Sequence, residues 1–286
     1  MSEPLVETRR SVLTSDAPLT WYPARLETPE DEMEVHLGME FGIVLEGELL
    51  RTLKGSKRLC RAGDTWFINA YELHGWKTTD RLPVRLLSVI FLPWAIGGSV
   101  FPGRINLHQL FLVEPGKRPA CHEEAIRKDL LLQAEEMFRI PYNKDIFVQE
   151  ALLLRLKLIL LSILGGRDLP DKLASPSETM DRFVPHIKAI LSDPSPRRGQ
   201  AEVARMCHMS VSSFRNKFRT FMGTTYTEYQ TRHRLSLVCG DLLLGKKIEN
   251  IARDHGFTDS AHLNKTFRKH FGVSPGMYRK TGRLFN

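Results

Sequence analysis

An α+β chain, with a β-barrel first and an all-α domain last, is what the sequence predicts, and three observations predict it. The hydrophobic period changes near His122, from short β-rich runs to long helical stretches. Positive charge is concentrated in the last third of the chain. That same third holds two degenerate copies of one layout. The 286 residues leave room for two modest domains with separate cores. The expected units are residues 1–120 as the barrel, 121–174 as a helical segment and 175–286 as the all-α domain.

The barrel rests on FGIVLEG, DTWFINA and VRLLSVIFL, short apolar runs broken by Gly, Pro, Asn and Asp. Short, closely spaced strands suit a small barrel or sandwich. The opening residues MSEPLVETRR lack the apolar run of a signal peptide. Cys60, Cys121, Cys207 and Cys239 are far apart and form no CxxC pair, which argues against a zinc ribbon or disulfide scaffold and suits a reducing cytoplasm.

Next come EEAIRKDLLLQAEEMFRI and DIFVQEALLLRLKLILLSIL, two helices split by Pro141-Tyr142-Asn143. The second is apolar nearly all round, so it must bury more than one face. Packing on the barrel and pairing in a homodimer both satisfy that demand. Its greasy part, Ala151 to Gly166, is too short to span a bilayer and carries Arg155 and Lys157, so no membrane role is expected. Gly165-Gly166, Pro170 and the SPSE run read as a linker. A helix-rich block follows from Ser177, interrupted by a DPSPRR loop.

From Ser175 onward there are 19 Lys+Arg against 9 Asp+Glu, a net of +10, whereas the whole chain carries +8. The preceding residues therefore sum to −2. A basic module on a near-neutral body is the electrostatic footprint of a nucleic-acid binder. Within it, Val203–Gln230 parallels Ile251–Arg279. Each copy has a short helix with an inward Ala (Ala204, Ala252), a tight turn and a second helix capped by Ser210 or Asp259. Each second helix ends before a glycine, Gly223 or Gly272. This is the helix-turn-helix plan, whose second helix enters the DNA major groove.

The second helices have two faces at about 100° per residue. Phe214, Phe218 and Phe221 form one apolar stripe; Leu263, Phe267 and Phe271 form the other. Opposite the stripes lie Ser212, Arg215, Asn216 and Arg219 in the first copy. The second copy presents Ala261, Asn264, Lys265 and Arg268, with Ser260 near the helix start. Arg and Lys can read guanine, Asn can read adenine, and small residues allow close approach. Thr224–Lys247 reads as a long helix between the copies, with Gly240 as its weak point.

IARDHGFTDSAHLNKTFRKHFGVSPGMYRK closely resembles the signature of the AraC/XylS transcription regulators. The resemblance covers about the last hundred residues and places the base-reading helices on Ser210–Thr220 and Asp259–His270. Val238 and Gly240 depart from the Ala and better helix former usual in the family's linker helix, and Ser212 and Ala261 are small where some relatives carry large groove-contacting side chains. The resemblance implies a cytoplasmic, homodimeric regulator whose partners are double-stranded DNA, a small-molecule effector and, for an activator, RNA polymerase.

EVHLGMEFGIVLEG and GDTWFINAYELHGW resemble the two motifs of the cupin barrel, a common sensor domain of such regulators. His36, Glu40 and Gly47 keep the spacing of the first motif, with Glu34 at its first histidine. His74 keeps the histidine of the second, and Asn69 replaces a proline. Glu34, His36, Glu40 and His74 therefore make a candidate divalent-metal set of a type that suits zinc, iron, nickel or manganese. The same residues could instead bond one another or an organic ligand. Phe41, Trp66, Tyr71 and Trp76 are candidates to line a pocket. No catalytic residue is expected in a regulator. The competing expectation is a metal-dependent cupin enzyme, a dioxygenase or isomerase, with an incidental basic domain.

Overall fold

The computed structural model describes residues 13, 17–53, 56–97, 107–141, 145–165 and 198–281. The linker expected from Gly165 and the block expected from Ser177 to the DPSPRR loop lie outside the described residues, except Arg198 and Gly165, the latter still helical and so not linker. Among the described residues no helix is long and apolar enough to cross a membrane.

Eight strands form two four-stranded antiparallel sheets among the described residues. The first sheet has the order β1 (Leu19–Leu26), β8 (Val84–Phe91), β3 (Met39–Glu46), β6 (Thr65–Ile68). The second has the order β2 (Asp31–Glu34), β7 (His74–Thr78), β4 (Glu48–Leu53), β5 (Ser56–Arg61). The strands expected from FGIVLEG, DTWFINA and VRLLSVIFL are β3, β6 and β8.

Both faces of the first sheet are covered. Val44, Trp66, Ile68 and Leu86 point between the sheets, where they meet Leu49, Cys60 and Trp76 of the second. The alternate residues Phe41, Ile43, Phe67, Leu87 and Val89 point outward. They pack under α1 (Gln109–Leu112), α2 (Glu124–Phe138) and α3 (Ile146–Gly165). Gly42 makes the interior possible where β3 passes Trp66, since a Cβ there would lie 2.0 Å from the indole ring.

The C-terminal domain follows the repeat. The first copy comprises α4 (Gln200–Met206) and α5 (Val211–Met222), and the second α7 (Ile248–Asp254) and α8 (Ser260–Phe271). Between them runs α6 (Tyr226–Leu243), and α9 (Pro275–Thr281) closes the domain. The helix between the copies is shorter than Thr224–Lys247, because the chain turns at Gly245 with φ of 76°. The apolar stripes are core: Phe214, Phe218, Leu263 and Phe267 are fully buried. Ser210 accepts the Ser213 N–H at 3.2 Å, and Asp259 accepts that of His262 at 2.7 Å.

The turns of the two copies have the same backbone with different residues. Met209 N–H donates to Ala204 O at 2.9 Å, and Phe257 N–H donates to Ala252 O at 2.8 Å. The residue before each donor is left-handed: Gly256 with φ of 70°, but His208 with φ of 52°. A side chain in that region costs roughly 1–2 kcal/mol. Gly256→Ala should therefore lower stability by about 1 kcal/mol in a denaturant melt, whereas His208→Gly should not lower it.

Candidate DNA-reading helices and sensor interior

The outward faces of α5 and α8 carry the residues the repeat assigned to them. Ser212, Arg215, Asn216, Arg219, Ala261, Lys265 and Arg268 are exposed, and Ser260 and Asn264 are half-buried. Three are engaged within the protein: Ser212 Oγ lies 3.1 Å from Ser210 Oγ, and two longer side chains bond elsewhere. Arg215 Nε donates to Gln200 Oε1 at 2.8 Å, and Asn264 Nδ2 donates to the Ser260 carbonyl at 2.8 Å. The Asn264 bond would have to be exchanged for bonds to a base edge.

Charged side chains of α6 tie it to the second copy. Glu228 accepts from Arg232 Nε at 2.8 Å and lies 3.3 Å from His270 Nε2 at the end of α8. Burial opposes ionisation of Glu228, but Arg232 and His270 outweigh it and lower its pKa. Arg234 donates to the Gly256 carbonyl at 3.0 Å and stacks its guanidinium over Phe257 at 5.0 Å.

In the barrel, the four candidate metal ligands converge. One donor atom from each of Glu34, His36, Glu40 and His74 lies within 4.8 Å of the others. His74 stands directly across from Glu34 on the neighbouring strand of the same sheet. Glu40 comes from the opposite sheet, and His36 lies beyond the end of β2 in the loop to β3.

Glu40 is the centre of this set. Its Oε2 lies 2.9 Å from His36 Nε2 and 3.0 Å from His74 Nε2. Its Oε1 accepts from Trp66 Nε1 at 2.6 Å and from Ser88 Oγ at 2.9 Å. Burial alone would raise its pKa, yet the two histidines and Arg51 hold it well below the ordinary value. Burial likewise opposes a charged His74, but hydrogen bonds to Glu34 and Glu40 push its pKa up to about 9.

The donor arithmetic at the histidines fits a metal as well as a proton. Nδ1 of His36 bonds to the Gly38 carbonyl at 3.0 Å, and Nδ1 of His74 to the Glu72 carbonyl at 2.7 Å. A carbonyl only accepts, so Nδ1 carries the hydrogen on both rings. Each Nε2 then meets Glu40 as a protonated donor or as a lone pair shared with a cation.

The four candidate pocket aromatics are not gathered in one place. Trp66 lines a cavity of about 310 Å³ opening between β5 and the Pro115–Ala120 segment. Trp76 sits between the sheets, with Arg51 5.8 Å above its ring. Phe41 belongs to the opposite face of β3, under the helices. Tyr71 leaves the barrel altogether and lines a second cavity, of about 290 Å³, against the C-terminal domain.

The loop Asn69–Leu73 joins the two domains, beside contacts such as His108 on Phe221 at 4.6 Å. Asn69 Nδ2 donates to the Met222 carbonyl at 3.0 Å, the last residue of α5. Tyr71 bonds through its hydroxyl to His233 Nδ1 and packs edge-on to Tyr229 at 5.3 Å. Ala70 and Tyr71 join the apolar core of the first head, and Leu73 joins that of the second. Within the same loop Glu72 is pinned by Arg118, whose Nη2 lies 3.0 Å from Oε1. Sequence reasoning noted Asn69 only as a departure from the cupin pattern and missed Arg51, Ser88 and Arg118. An arginine inside the apolar strand ELLRTL was the available signal for Arg51.

Comparison with known proteins agrees with this architecture. The helix-turn-helix domain family matches residues 203–281, and the cupin domain family matches residues 26–90. The solved structure of ToxT from Vibrio cholerae O395 superimposes with a TM-score of 0.50 at 11% identity, covering 92% of this chain and 97% of that one. ToxT from Vibrio cholerae strain SCE256 bound to an unsaturated fatty acid gives 0.50 at 12% identity, covering 94% and 98%. At such identities the likeness shows the fold. No curated protein sequence matches the chain.

The His74 arrangement predicts a pH dependence for the metal-free protein. A histidine whose pKa is about 9 when folded and near 6.5 when unfolded stabilises fully below about pH 6.5. That contribution is lost as pH rises through 9. Thermal melts should thus fall across this window in the wild type, and the fall should be smaller in His74→Gln.

Proposed function

We propose that the chain is a DNA-binding transcription regulator of the AraC/XylS type, which reads DNA through its two helix-turn-helix units and responds to a ligand in the barrel. Helices α5 and α8 enter successive major-groove segments, about 34 Å apart if both heads use one face of the duplex. Arg215, Asn216 and Arg219 of the first head, and Asn264, Lys265 and Arg268 of the second, face the groove. Ser212, Ser260 and Ala261 permit close approach at the helix starts. Residues 1–120 form the sensor, 121–174 the dimerisation segment and 175–286 the DNA-binding domain. The whole acts in the cytoplasm without catalysis, and RNA polymerase is a further partner if the protein activates transcription.

The observation that carries the ligand response is the Asn69–Leu73 loop. It bonds to α5 and α6 on one side, while its Glu72 is held by Arg118 on the wall of the barrel cavity. An occupant of the barrel that favours one position of this loop favours one arrangement of the heads. Differential affinity for the two arrangements is all that a population shift requires.

The uncovered side of α3 supports a homodimer through this helix. One face of α3, with Leu152, Leu156, Ile159 and Ile163, is sealed against the barrel. Phe147, Leu154, Leu158 and Leu161 are 81%, 53%, 56% and 38% exposed. Their spacing of seven, four and three residues is a coiled-coil seam, which a second copy can cover.

A second reading concerns the barrel interior. Glu34, His36, Glu40 and His74 are close enough to hold one divalent cation, which would supply a fixed positive charge between the sheets. An enzyme reading would use the same four residues: they would fill a tetrahedral zinc, but would leave open positions on a six-coordinate iron, nickel or manganese.

Gel shifts on the DNA upstream of the protein's own coding sequence should show binding that weakens steeply with salt. On a mapped operator, Arg215→Ala and Lys265→Ala should each cost about 1–3 kcal/mol if the residue makes a bidentate base contact. Wild-type affinity in both would remove those assignments. Leu158→Glu should convert a dimer to a monomer in light scattering, with unchanged secondary structure by circular dichroism. Metal analysis of wild type and His36→Ala separates the two readings of the barrel: equal, negligible metal in both leaves only protons between the histidines and Glu40.

A further inference from the structure

We propose that Gln200, the first residue of α4, is a positioning residue for Arg215: it holds the arginine by its Nε edge and so presents the two Nη groups to the O6 and N7 of one guanine. The proposal rests on the reading of α5 as a groove helix with Arg215 toward the bases.

Both ends of this bond stand on anchored backbone. Just before α4, the Arg198 carbonyl accepts from Gln230 Nε2 at 2.6 Å and from the Tyr226 hydroxyl at 3.3 Å, both on α6. The Val203 N–H donates to the Gly199 carbonyl at 3.1 Å, and Val203 and Ala204 are sealed in the core of the first head. On the other side, α5 starts from its Ser210 cap, and Phe214, the neighbour of Arg215, is fully buried. Across the gap between these two helices Gln200 Oε1 accepts from Arg215 Nε at 2.8 Å.

The geometry of the guanidinium makes this bond compatible with base reading. The group is planar and carries five N–H donors; the bond to Gln200 uses the one on Nε and leaves four on the Nη atoms. The Nε–H points sideways from the chain, whereas the Nη end points along it. A base can therefore take the end while Gln200 keeps the side. Guanine alone offers two acceptors on its major-groove edge. The partner is a neutral amide, so the charge of Arg215 is kept for the duplex. An arginine without this brace has more rotamers, some of which reach a phosphate and not a base. Fixing its plane before binding removes that ordering cost and favours the contact that only guanine completes.

The second head is built differently. Ala204 matches Ala252 and Phe214 matches Leu263, so Gln200 corresponds to Ile248 and Arg215 to Asn264. Ile248 packs against the second apolar core and offers no side-chain acceptor. Asn264 bonds within its own helix, to the Ser260 carbonyl. A brace from the first helix to the second therefore belongs to the first head, and its effect is confined to one half of the operator.

The test is selection of binding sites from a random duplex pool by the full-length protein, followed by competition between duplexes carrying each of the four bases at every selected position. The wild type should prefer guanine at one position of the first head's half-site by roughly 5–150-fold. Gln200→Met, close in shape but without the carbonyl acceptor, should lower that preference about 2–10-fold and leave the other positions unchanged. Gln200→Glu, which keeps an acceptor, should retain more of the preference than Gln200→Met while binding all duplexes more weakly. A Gln200→Met variant as selective as the wild type overturns the proposal. So does an equal loss at every position, which is what a merely structural role would give. Arg215→Ala keeps the two readings apart. If it flattens the guanine position and Gln200→Met does not, only the brace is removed. If it leaves every position unchanged, Arg215 reads no base and the brace falls with that assignment.

Discussion

The buried pair of Glu72 and Arg118 fixes the loop that carries the hydrogen bonds of Asn69 and Tyr71 from the barrel to the C-terminal helices. Both side chains are 5% exposed, so neither charge is relieved by water. Arg118 also donates to the carbonyls of Phe67 and Val113, at 2.7 and 2.8 Å, and Glu72 accepts the Asn69 N–H at 2.9 Å. A buried ion pair gains little net stability, but one whose polar atoms are satisfied on all sides permits few alternative geometries. Here that geometry belongs to the loop that carries Asn69 and Tyr71 to the helices. Tyr71 accepts a left-handed backbone, with φ of 57°, to reach them.

The elements that could be read from the sequence were those whose signal is local. Period and caps gave α2, α3 and the paired helices, and the repeat supplied the faces of α5 and α8. The phenylalanine stripes were legible because a helix with one buried face repeats every 3.6 residues. The barrel was less legible for a physical reason. Residues Met39–Val44 of β3 are all buried, because the first sheet is covered on both faces. Alternation then says which residues share a face, and does not say which face looks inward. Phe41 and Trp66 were therefore indistinguishable as pocket residues until the helices were placed. Tyr71 was hidden differently, since its partners lie more than 150 residues away in the chain.

Glu40 shows how a single buried carboxylate can organise a barrel interior. Its two oxygens gather donors from His36, His74, Trp66 and Ser88, which come from the loop before β3, β7, β6 and β8 in that order. Gly42, two residues on, clears the space in which the Trp66 indole can reach it. Strand parity, one missing side chain and one charge together decide what the interior can hold. Arg51 is the outer member of this group, and through it the His/Glu cluster adjoins the basic cavity.

One loop enters the apolar cores of both heads, with Tyr71 in the first and Leu73 in the second. The boundary that matters for exchanging parts is therefore not the point where the chain passes from one domain to the next. A hybrid made by cutting between 166 and 197 would give the heads a foreign loop against which neither core was shaped. Keeping Asn69–Leu73, together with Arg118, alongside its own heads asks instead for a graft inside the barrel, where strands rather than whole domains are swapped. In lineages that recruit new signals, the same constraint would let the cavity wall diverge freely while the loop and its arginine change only in step with the helices they touch.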